Sequence, residues 1–473
     1  MQQRVTRSLV AALLVVCGLT VAGARINAGP DGAAPPRRIA VFGSSVANGT
    51  GDDLGKEGYT GRLRELLASR GWEVLNQSRG GDNTRTMAPR FAPEGAPDPK
   101  VRYLLTVNPG YVLLGLSLGN EGMRPDLNLA PEESKAKKDA IYAQFESGMR
   151  GFVARSREHH IVPIVTLCYT RNDFTQVEYE YTRRMNLAIN AWDVPSVNFL
   201  GAVDDGTGKW AKGFWHDSLH PNAAGHEELL RTFVPTLFEA LEQGKPAPKR
   251  STATGFARLE GDSRQVMFAP ADSMHPFAFG VTVRGARSGT VAAIGGYILT
   301  AAEGAKSERR DGARGPLEFE TKRLTRAEGF VARIGVENGV WVYTASDGAV
   351  MPSAVKADGR AHDLLVSHYT ARGETLFFVD GKRVGAMPER LEPKMFMLEN
   401  AKGAEFKDLL IYRSALNADE AAALASGRLL QASLEVYSPL SDAELRVGEP
   451  VKNLAQSLTF ASVSTGEIQH IDK

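Results

Sequence analysis

Three polar side chains in this sequence have the types that acyl transfer requires. Ser45 follows the apolar run Arg38–Phe42 in the segment GSSVANG, and Asp217 and His220 lie three residues apart in WHDSLHPNAAGH. A serine hydroxyl is a weak nucleophile, so it needs a base within hydrogen-bond reach and a further group that orients this base. One turn of chain brings the Asp217 carboxylate to the His220 imidazole. We therefore predict that His220 takes the proton of Ser45.

Acyl transfer also develops a negatively charged oxygen, which preorganised hydrogen-bond donors must stabilise. Two loops offer such donors. In NQSRGGDNT, Gly81 brings a backbone N–H close to a substrate with no side chain in the way, and in LSLGNEG the amide of Asn120 is a donor. With the backbone N–H of Ser45 as the third donor, we predict an oxyanion hole formed by Ser45, Gly81 and Asn120.

The elements that must position these residues follow from the alternation of short apolar runs with segments of helical period. The predicted strands are Arg38–Phe42, Trp72–Asn76, Tyr111–Leu116, Ile161–Leu167 and Ser196–Leu200, and the predicted helical segments are 61–71, 132–157, 178–192 and 223–241. This alternation predicts an α/β fold with a doubly wound parallel sheet in three layers. The candidate residues follow the carboxyl ends of strands or precede the last helix, where such sheets bind ligands.

Taken together, these blocks resemble the Ser-Gly-Asn-His hydrolases, also called GDSL lipases and esterases, over residues 38–242. The resemblance implies a flavodoxin-like fold, no cofactor, and for the five residues the roles given above. The family usually has Asp just before the serine and just after the asparagine, whereas Ser44 and Glu121 stand in those places here. Ser44 is therefore an alternative nucleophile, and we favour Ser45.

Other polar and aromatic side chains lie near the predicted site. Candidates for lining a substrate cleft are Arg79, Asn83, Arg85 and Trp215, which salt bridges or core packing explain equally well. His216 and His226 flank the motif and suggest a metal site together with Asp217. We favour no metal, because His226 lies in the following helical segment and is expected at the surface or in packing.

After a polar linker at 243–255, the sequence changes to short β-branched and aromatic runs separated by turn residues, among them the hairpin signal Asp380-Gly381. We predict an antiparallel sandwich over residues 256–427. Its runs resemble the laminin-G-like, concanavalin-A-type jelly-roll family, whose modules either bind carbohydrate or serve as structural partners of an enzyme domain. The tail, 428–473, contains one strand-like run, Ser433–Leu440, and is otherwise unassigned.

Three aromatic residues of the sandwich, Trp341, Tyr343 and Tyr369, are candidates for stacking on sugar rings. The alternative is that they belong to the core, as aromatic residues of sandwich strands commonly do.

The N-terminus has the composition of a secretory signal. Arg4 and Arg7 precede the apolar run Leu9–Val21, and a small-residue cleavage site follows at Ala22-Gly23-Ala24, so we predict a signal peptide over residues 1–24 and a secreted or periplasmic protein. Lipid attachment at Cys17 is the lesser alternative, because the bulky Val16 precedes it. The remaining cysteine, Cys168, has apolar neighbours and is expected to be a buried thiol.

Composition excludes some classes of partner. With 56 basic and 55 acidic residues the formal charge is +1, which provides no overall field to attract nucleic acid or an anionic membrane. The favoured function is a secreted esterase that removes acetyl groups from a carbohydrate. The alternatives are a lipid esterase, lysophospholipase or thioesterase, and a carbohydrate-binding or interaction protein without activity. The oligomeric state stays open.

Overall fold

The computed structural model describes residues 36–259, 264–304, 319–441 and 445–465. The predicted signal peptide, 1–24, lies outside these residues. The first part of the chain forms a five-stranded sheet: β1 Arg38–Gly43, β2 Glu73–Asn76, β3 Tyr111–Gly115, β4 Val162–Thr166 and β5 Ser196–Val197. All neighbouring strands are parallel, and their order is β2-β1-β3-β4-β5. This is the flavodoxin-like order, so the predicted fold class is confirmed.

Helices cover both faces of the sheet. They are α1 Gly58–Ala68, α2 Thr84–Met87, α3 Pro131–Glu158, α4 Gln176–Ile189, α5 Leu200–Val203, α6 Ala223–Arg231 and α7 Leu237–Glu242, with single 3-10 turns at Ala88–Arg90 and Leu105–Val107. Successive strand residues point to opposite faces. Ile39 and Val41 therefore lie in one core, Ala40 and Phe42 in the other. No helix in the described ranges is both long and apolar enough to cross a bilayer.

Two predicted elements differ from the structure. The run Ser196–Leu200 contributes only two residues to the sheet, because the chain turns into α5 at Leu200. The apolar period over 223–241 belongs to two helices, α6 and α7, rather than one. Pro235 lies between them, and proline has no N–H to continue a helix.

The second part of the chain is an antiparallel sandwich of two sheets, as predicted. Its elements are β6 Arg264–Phe268, β7 Phe277–Arg284, β8 Gly289–Glu303, β9 Thr321–Glu337, β10 Val340–Thr344, β11 Val350–Lys356, β12 His362–Tyr369, β13 Glu374–Val379, β14 Lys382–Pro388, β15 Leu391–Glu399, β16 Glu405–Tyr412, α8 Ala418–Ala425, β17 Leu434–Ser438 and β18 Ser462–Thr465. The seven-stranded sheet has the order β11-β10-β9-β8-β15-β6-β18, and the six-stranded sheet has β14-β13-β12-β7-β16-β17.

Two smaller predictions for the sandwich can be compared with the structure. Asp380 and Gly381 connect β13 to β14 with φ of 52° and 72°, the left-handed pair of a two-residue hairpin, so that prediction is confirmed. Trp341, Tyr343 and Tyr369 are each at most 2% exposed. They are core residues, and sugar stacking by these rings is ruled out in this structure.

The two parts of the chain are joined by more than the segment 243–255. Residues of the tail lie in both sheets of the sandwich, as β17 and β18, and also contact the α/β part. The backbone N–H of Asn198, just after β5, donates to Ser433 Oγ over 2.8 Å, and Leu458 N donates to Thr236 Oγ1 over 2.8 Å. The sandwich is therefore held against the α/β part from several segments.

Candidate active site

Ser45 lies on the turn that follows β1. The turn is closed by backbone hydrogen bonds from Asn48 N to Ser44 O, 2.9 Å, and from Thr50 N to Ser45 O, 3.0 Å. Ser44 is fully buried and its Oγ has no hydrogen-bond partner among the described residues, whereas Ser45 Oγ lies 2.9 Å from His220 Nε2. Of the two serines, Ser45 is the one that meets a base.

Asp217 holds the other side of the His220 ring. Both carboxylate oxygens lie 2.8 Å from His220 Nδ1, and Oδ1 also accepts the backbone N–H groups of Leu219, at 2.8 Å, and His220, at 3.0 Å. Burial alone would raise the pKa of Asp217, but the hydrogen bonds from His216 and His220 outweigh it and hold that pKa well below its usual range. A charged Asp217 fixes the proton on Nδ1 and leaves Nε2 free to accept one from Ser45.

The loop after Ser45 packs closely against the histidine loop. A Cβ on Gly51, whose φ is +93°, would lie 3.0 Å from His220 Cβ and 2.3 Å from Pro221 O. Glycine is therefore required at this close approach.

The two predicted oxyanion loops also meet Ser45. Arg79 N donates to Gly43 O over 3.0 Å, which brings the Gly80-Gly81 turn beside Ser45. Gly81 has φ of +83°, a backbone conformation that favours glycine, and a Cβ built there would have no atom within 4 Å. Gly81 therefore lies in the loop beside Ser45, and its role as an oxyanion donor stays a prediction.

Asn120 is oriented by its own side-chain oxygen. Oδ1 accepts from Ser117 N at 2.9 Å and from Tyr169 Oη at 3.3 Å. Because the oxygen is occupied, the Nδ2 amide of Asn120 is left as the donor. This orientation fits the predicted role in an oxyanion hole.

Glu121, which departs from the family pattern, joins the two oxyanion loops. Its buried carboxylate accepts from Thr84 N at 2.9 Å and from Thr84 Oγ1 at 2.8 Å. Thr84 begins α2, directly after the Gly81 loop. Glu121 therefore fixes the spacing between Gly81 and Asn120.

The predicted substrate-binding side chains are mostly occupied elsewhere. Arg79 pairs with Asp82 at 2.6 Å, and Asn83 Oδ1 caps α2 by accepting from Arg85 N and Thr86 N. The Asn83 oxygen is therefore used by the helix cap, and a role of Asn83 in substrate binding stays a prediction. Trp215 packs against the core with part of its ring and lines a cleft with the rest.

The histidines that suggested a metal do not converge. His226 is fully buried, where it accepts from Tyr59 N and lies 3.0 Å from Thr50 O, so it braces the loop after Ser45. The expectation of packing holds for His226, and the alternative of a surface position is wrong. Within the described ranges, no three His, Cys, Asp or Glu side chains are grouped as metal ligands.

Cys168 is fully buried, and burial raises the pKa of its thiol to about 12. This confirms a buried thiol at that position.

Sequence reasoning missed Asp53 and Lys322. Asp53 Oδ1 accepts from Ala223 N at 3.1 Å, at the start of the helix after His220, and Asp53 Oδ2 lies 3.0 Å from Lys322 Nζ in the sandwich. The acidic pair GDD after the nucleophile turn was a signal for Asp53. Nothing in the sequence pointed to Lys322, which is 269 residues away.

Comparison with known proteins gives a family match for the α/β part of the chain. Residues 41–228 match the model of the GDSL-like lipase/acylhydrolase family. No curated protein matches the sequence significantly.

We compare the chain with three similar solved structures. Axe2, an acetylxylan esterase from Geobacillus stearothermophilus, is 16% identical with a TM-score of 0.30, over 43% of this chain and 93% of that one. TesA is 20% identical with a TM-score of 0.30, over 41% of this chain and 93% of TesA. The lipase Lip_vut3 from a goat rumen metagenome is 12% identical with a TM-score of 0.32, over 41% of this chain and 93% of the lipase.

Proposed function

We propose that this chain, whose N-terminal part is a GDSL-like hydrolase domain, is a serine ester hydrolase that works through an acyl-enzyme. One observation carries the proposal: Ser45 Oγ lies 2.9 Å from His220 Nε2 while Asp217 holds Nδ1 at 2.8 Å. A nucleophile, its base and the group that orients the base are thus in hydrogen-bond contact.

The course of the reaction follows from this geometry. Ser45 Oγ attacks the ester carbonyl and its proton passes to His220 Nε2. The backbone N–H groups of Ser45 and Gly81 and the Asn120 amide receive the negative oxygen. The imidazolium then protonates the departing alcohol, which leaves an acyl group on Ser45. A water molecule gives a proton to His220 and attacks this acyl group, so that the acid is released and the Ser45 hydroxyl is restored.

The substrate we propose is an acetylated carbohydrate outside the cytoplasm. The predicted signal peptide and the companion sandwich support this choice. A cleft next to the histidine loop is lined by charged and aromatic side chains, which suits a glycan better than the acyl chain of a lipid.

The activity is tested by the release of nitrophenol from p-nitrophenyl acetate. Ser45→Ala is expected to lose about 10³-fold or more in kcat, because Ser45 Oγ is the nucleophile that contacts His220 Nε2. Ser44→Ala is the matched control and should keep wild-type activity, since the Ser44 hydroxyl forms no hydrogen bond within the described part of the chain. Full activity of Ser45→Ala would refute the mechanism, and loss of activity in Ser44→Ala alone would move the nucleophile by one residue.

The substrate class needs a separate measurement. Acetate release from acetylated polysaccharides should exceed the hydrolysis of long-chain acyl esters and acyl thioesters. If no glycan yields acetate while a long-chain ester is cleaved, the carbohydrate assignment is wrong and the lipid alternative replaces it.

A further inference from the structure

A cleft of about 750 Å³ lies between the two parts of the chain. Its α/β side includes Asn172, Lys209 and Trp215, and its sandwich side includes Arg372 and Arg390. This volume is within the range of ligand pockets, which occur preferentially at domain interfaces.

The α/β wall of the cleft is built on the loop that carries the active-site histidine. Trp215 directly precedes His216 and forms a β-bridge with Pro221, the residue after His220. Asn172 N donates to Ser218 O, at 2.8 Å, between Asp217 and His220. A ligand in the cleft therefore lies against the segment that positions His220.

The cleft carries positive charge that the protein leaves partly uncompensated. Arg390 donates to the backbone carbonyls of Thr370, at 2.7 Å, and Ala371, at 3.1 Å, and forms no ion pair in the described part of the chain. Burial lowers the pKa of Arg390, which marks a desolvated cation. Lys209 is exposed and its Nζ has no partner among the described residues.

Three other charged residues of the lining are already engaged: Asp205, Lys212 and Arg372. Lys212 Nζ lies over the Phe319 ring, 5.1 Å from its centroid. Arg372 is paired with Glu374 at 2.6 Å. Asp205, the acidic residue of the lining, accepts from Thr207 N and Lys209 N. In the described part of the cleft, the available positive charge is thus that of Lys209 and of Arg390, on which the charge of Glu228 also acts. This charge favours an anionic ligand.

The chemical class of the ligand follows from combining this charge with the exposed part of the Trp215 indole. An indole face suits the apolar face of a sugar ring, and a guanidinium suits a carboxylate. We propose that the cleft binds an acidic glycan, with uronate carboxylates against Arg390 and Lys209 and a sugar ring on Trp215. This inference rests on the proposed function, since it names the carbohydrate that Ser45 deacetylates.

Binding is measured by calorimetry on the full chain carrying Ser45→Ala, so that the result does not depend on catalysis. The probes are tetragalacturonate and, as the neutral counterpart, xylotetraose. We expect the acidic tetramer to bind at least about 10-fold more tightly, with an affinity that falls as salt is raised. Equal affinity for both tetramers would overturn the proposal.

Three variants locate the binding site. Arg390→Gln should weaken tetragalacturonate binding about 10-fold, and Lys209→Gln should weaken it about 3-fold. The effect is larger at Arg390 because its guanidinium is less hydrated than the exposed ammonium of Lys209. Lys356→Gln, an exposed lysine of β11, is the matched control and should bind like its parent. If Arg390→Gln does not fold, the exposed Lys209→Gln decides alone. Unchanged affinity in Lys209→Gln would overturn the inference.

The failure of the inference can be told apart from the failure of the proposed function. Loss of p-nitrophenyl acetate hydrolysis on Ser45→Ala tests the function, whereas the binding measurement needs no turnover. A Ser45-dependent esterase that does not distinguish the two tetramers would retain the function and refute the acidic-glycan site.

Discussion

Lys322 of the sandwich and Asp53 of the nucleophile loop form an ion pair across the two parts of the chain, with Nζ 3.0 Å from Oδ2. Next to it, Thr321 N donates to Gly213 O over 2.9 Å. Asp53 also accepts from Ala223 N, three residues after His220. The beginning of β9 is therefore attached both to the loop after Ser45 and to the segment around His220.

This contact makes Lys322 a positioning residue for the catalytic loops. We expect Lys322→Ala to lower kcat about 5-fold with KM nearly unchanged, because small displacements of His220 from Ser45 reduce proton transfer. Lys322→Arg should restore most of the lost kcat. The measurement is steady-state hydrolysis of p-nitrophenyl acetate.

The control for Lys322 is a second ion pair between the two parts, Arg183 with Asp419 at 2.6 Å, which joins α4 to α8. Arg183→Ala should leave kcat unchanged. An equal loss in both variants would mean that the sandwich stabilises the protein without positioning the site.

Asp217 should matter mainly through the tautomer and orientation of His220. Asp217→Asn keeps the size of the side chain but removes its charge, and we expect kcat to fall about 10⁴-fold, as for the equivalent change in a serine protease triad. The folded protein should be retained, which circular dichroism checks. A loss smaller than about 10-fold would show that Asp217 does not orient the ring.

His226 should make stability depend on pH. Burial lowers the pKa of His226 from 6.5 to about 4, and the charges of Arg62 and His220 lower it further. The hydrogen bond to Thr50 and the charge of Asp52 raise this pKa, but by less. Because the pKa of His226 is lower in the folded state than in the unfolded state, protonation of this residue favours unfolding. The stabilising contribution of neutral His226 is therefore complete above pH 6.5 and is lost as the pH falls towards 4. The loss is about 3 kcal/mol in the free energy of unfolding.

Urea unfolding of wild type and His226→Gln between pH 7 and pH 4 tests this. Glutamine can still donate to Thr50 O but does not titrate, so the stability of the variant should fall less steeply over this interval. Buried His368, whose pKa is also lowered by burial, contributes to both proteins and cancels in the difference. If the free energies of unfolding of wild type and His226→Gln fall equally with pH, His226 is not the group that makes stability depend on pH.

Asn198 should be important for attaching the sandwich. Its Nδ2 donates to buried Glu420 at 2.9 Å, its backbone N donates to Ser433 Oγ at 2.8 Å, and its carbonyl accepts from Ser414 Oγ at 3.1 Å. Asn198→Ala removes the donor to Glu420 in a buried setting. We expect a loss of about 2 kcal/mol in the free energy of unfolding.

The matched control is Asn128→Ala, at an exposed loop position. Its urea midpoint should equal that of wild type. If Asn198→Ala is as stable as wild type, the contact that Asn198 forms between the two parts of the chain does not contribute to the free energy of unfolding.

Local sequence patterns were sufficient for much of the fold. Strands buried on both faces, such as Tyr111–Gly115, appear in the sequence as continuous apolar runs, so their positions could be predicted. The turn that must follow such a strand was then a predictable position for a reactive side chain, as at Ser45. Patterns were insufficient where tertiary packing decides. Of the predicted strand Ser196–Leu200, only two residues pair in the sheet, and the cap that the Asn83 oxygen forms on α2 was not predicted.

The sequence by itself determined the chemistry of the candidate site, since Ser45, Asp217 and His220 have the residue types for acyl transfer at positions that a parallel sheet brings to one edge. Only the tertiary structure decided which of two adjacent serines meets the base, because burial and orientation distinguish Ser44 from Ser45 where composition does not. It also decided that β9 reaches the catalytic loops and that the cleft beside Trp215 is lined from both parts of the chain. Such contacts between distant segments depend on how two cores pack together, and no local pattern encodes them.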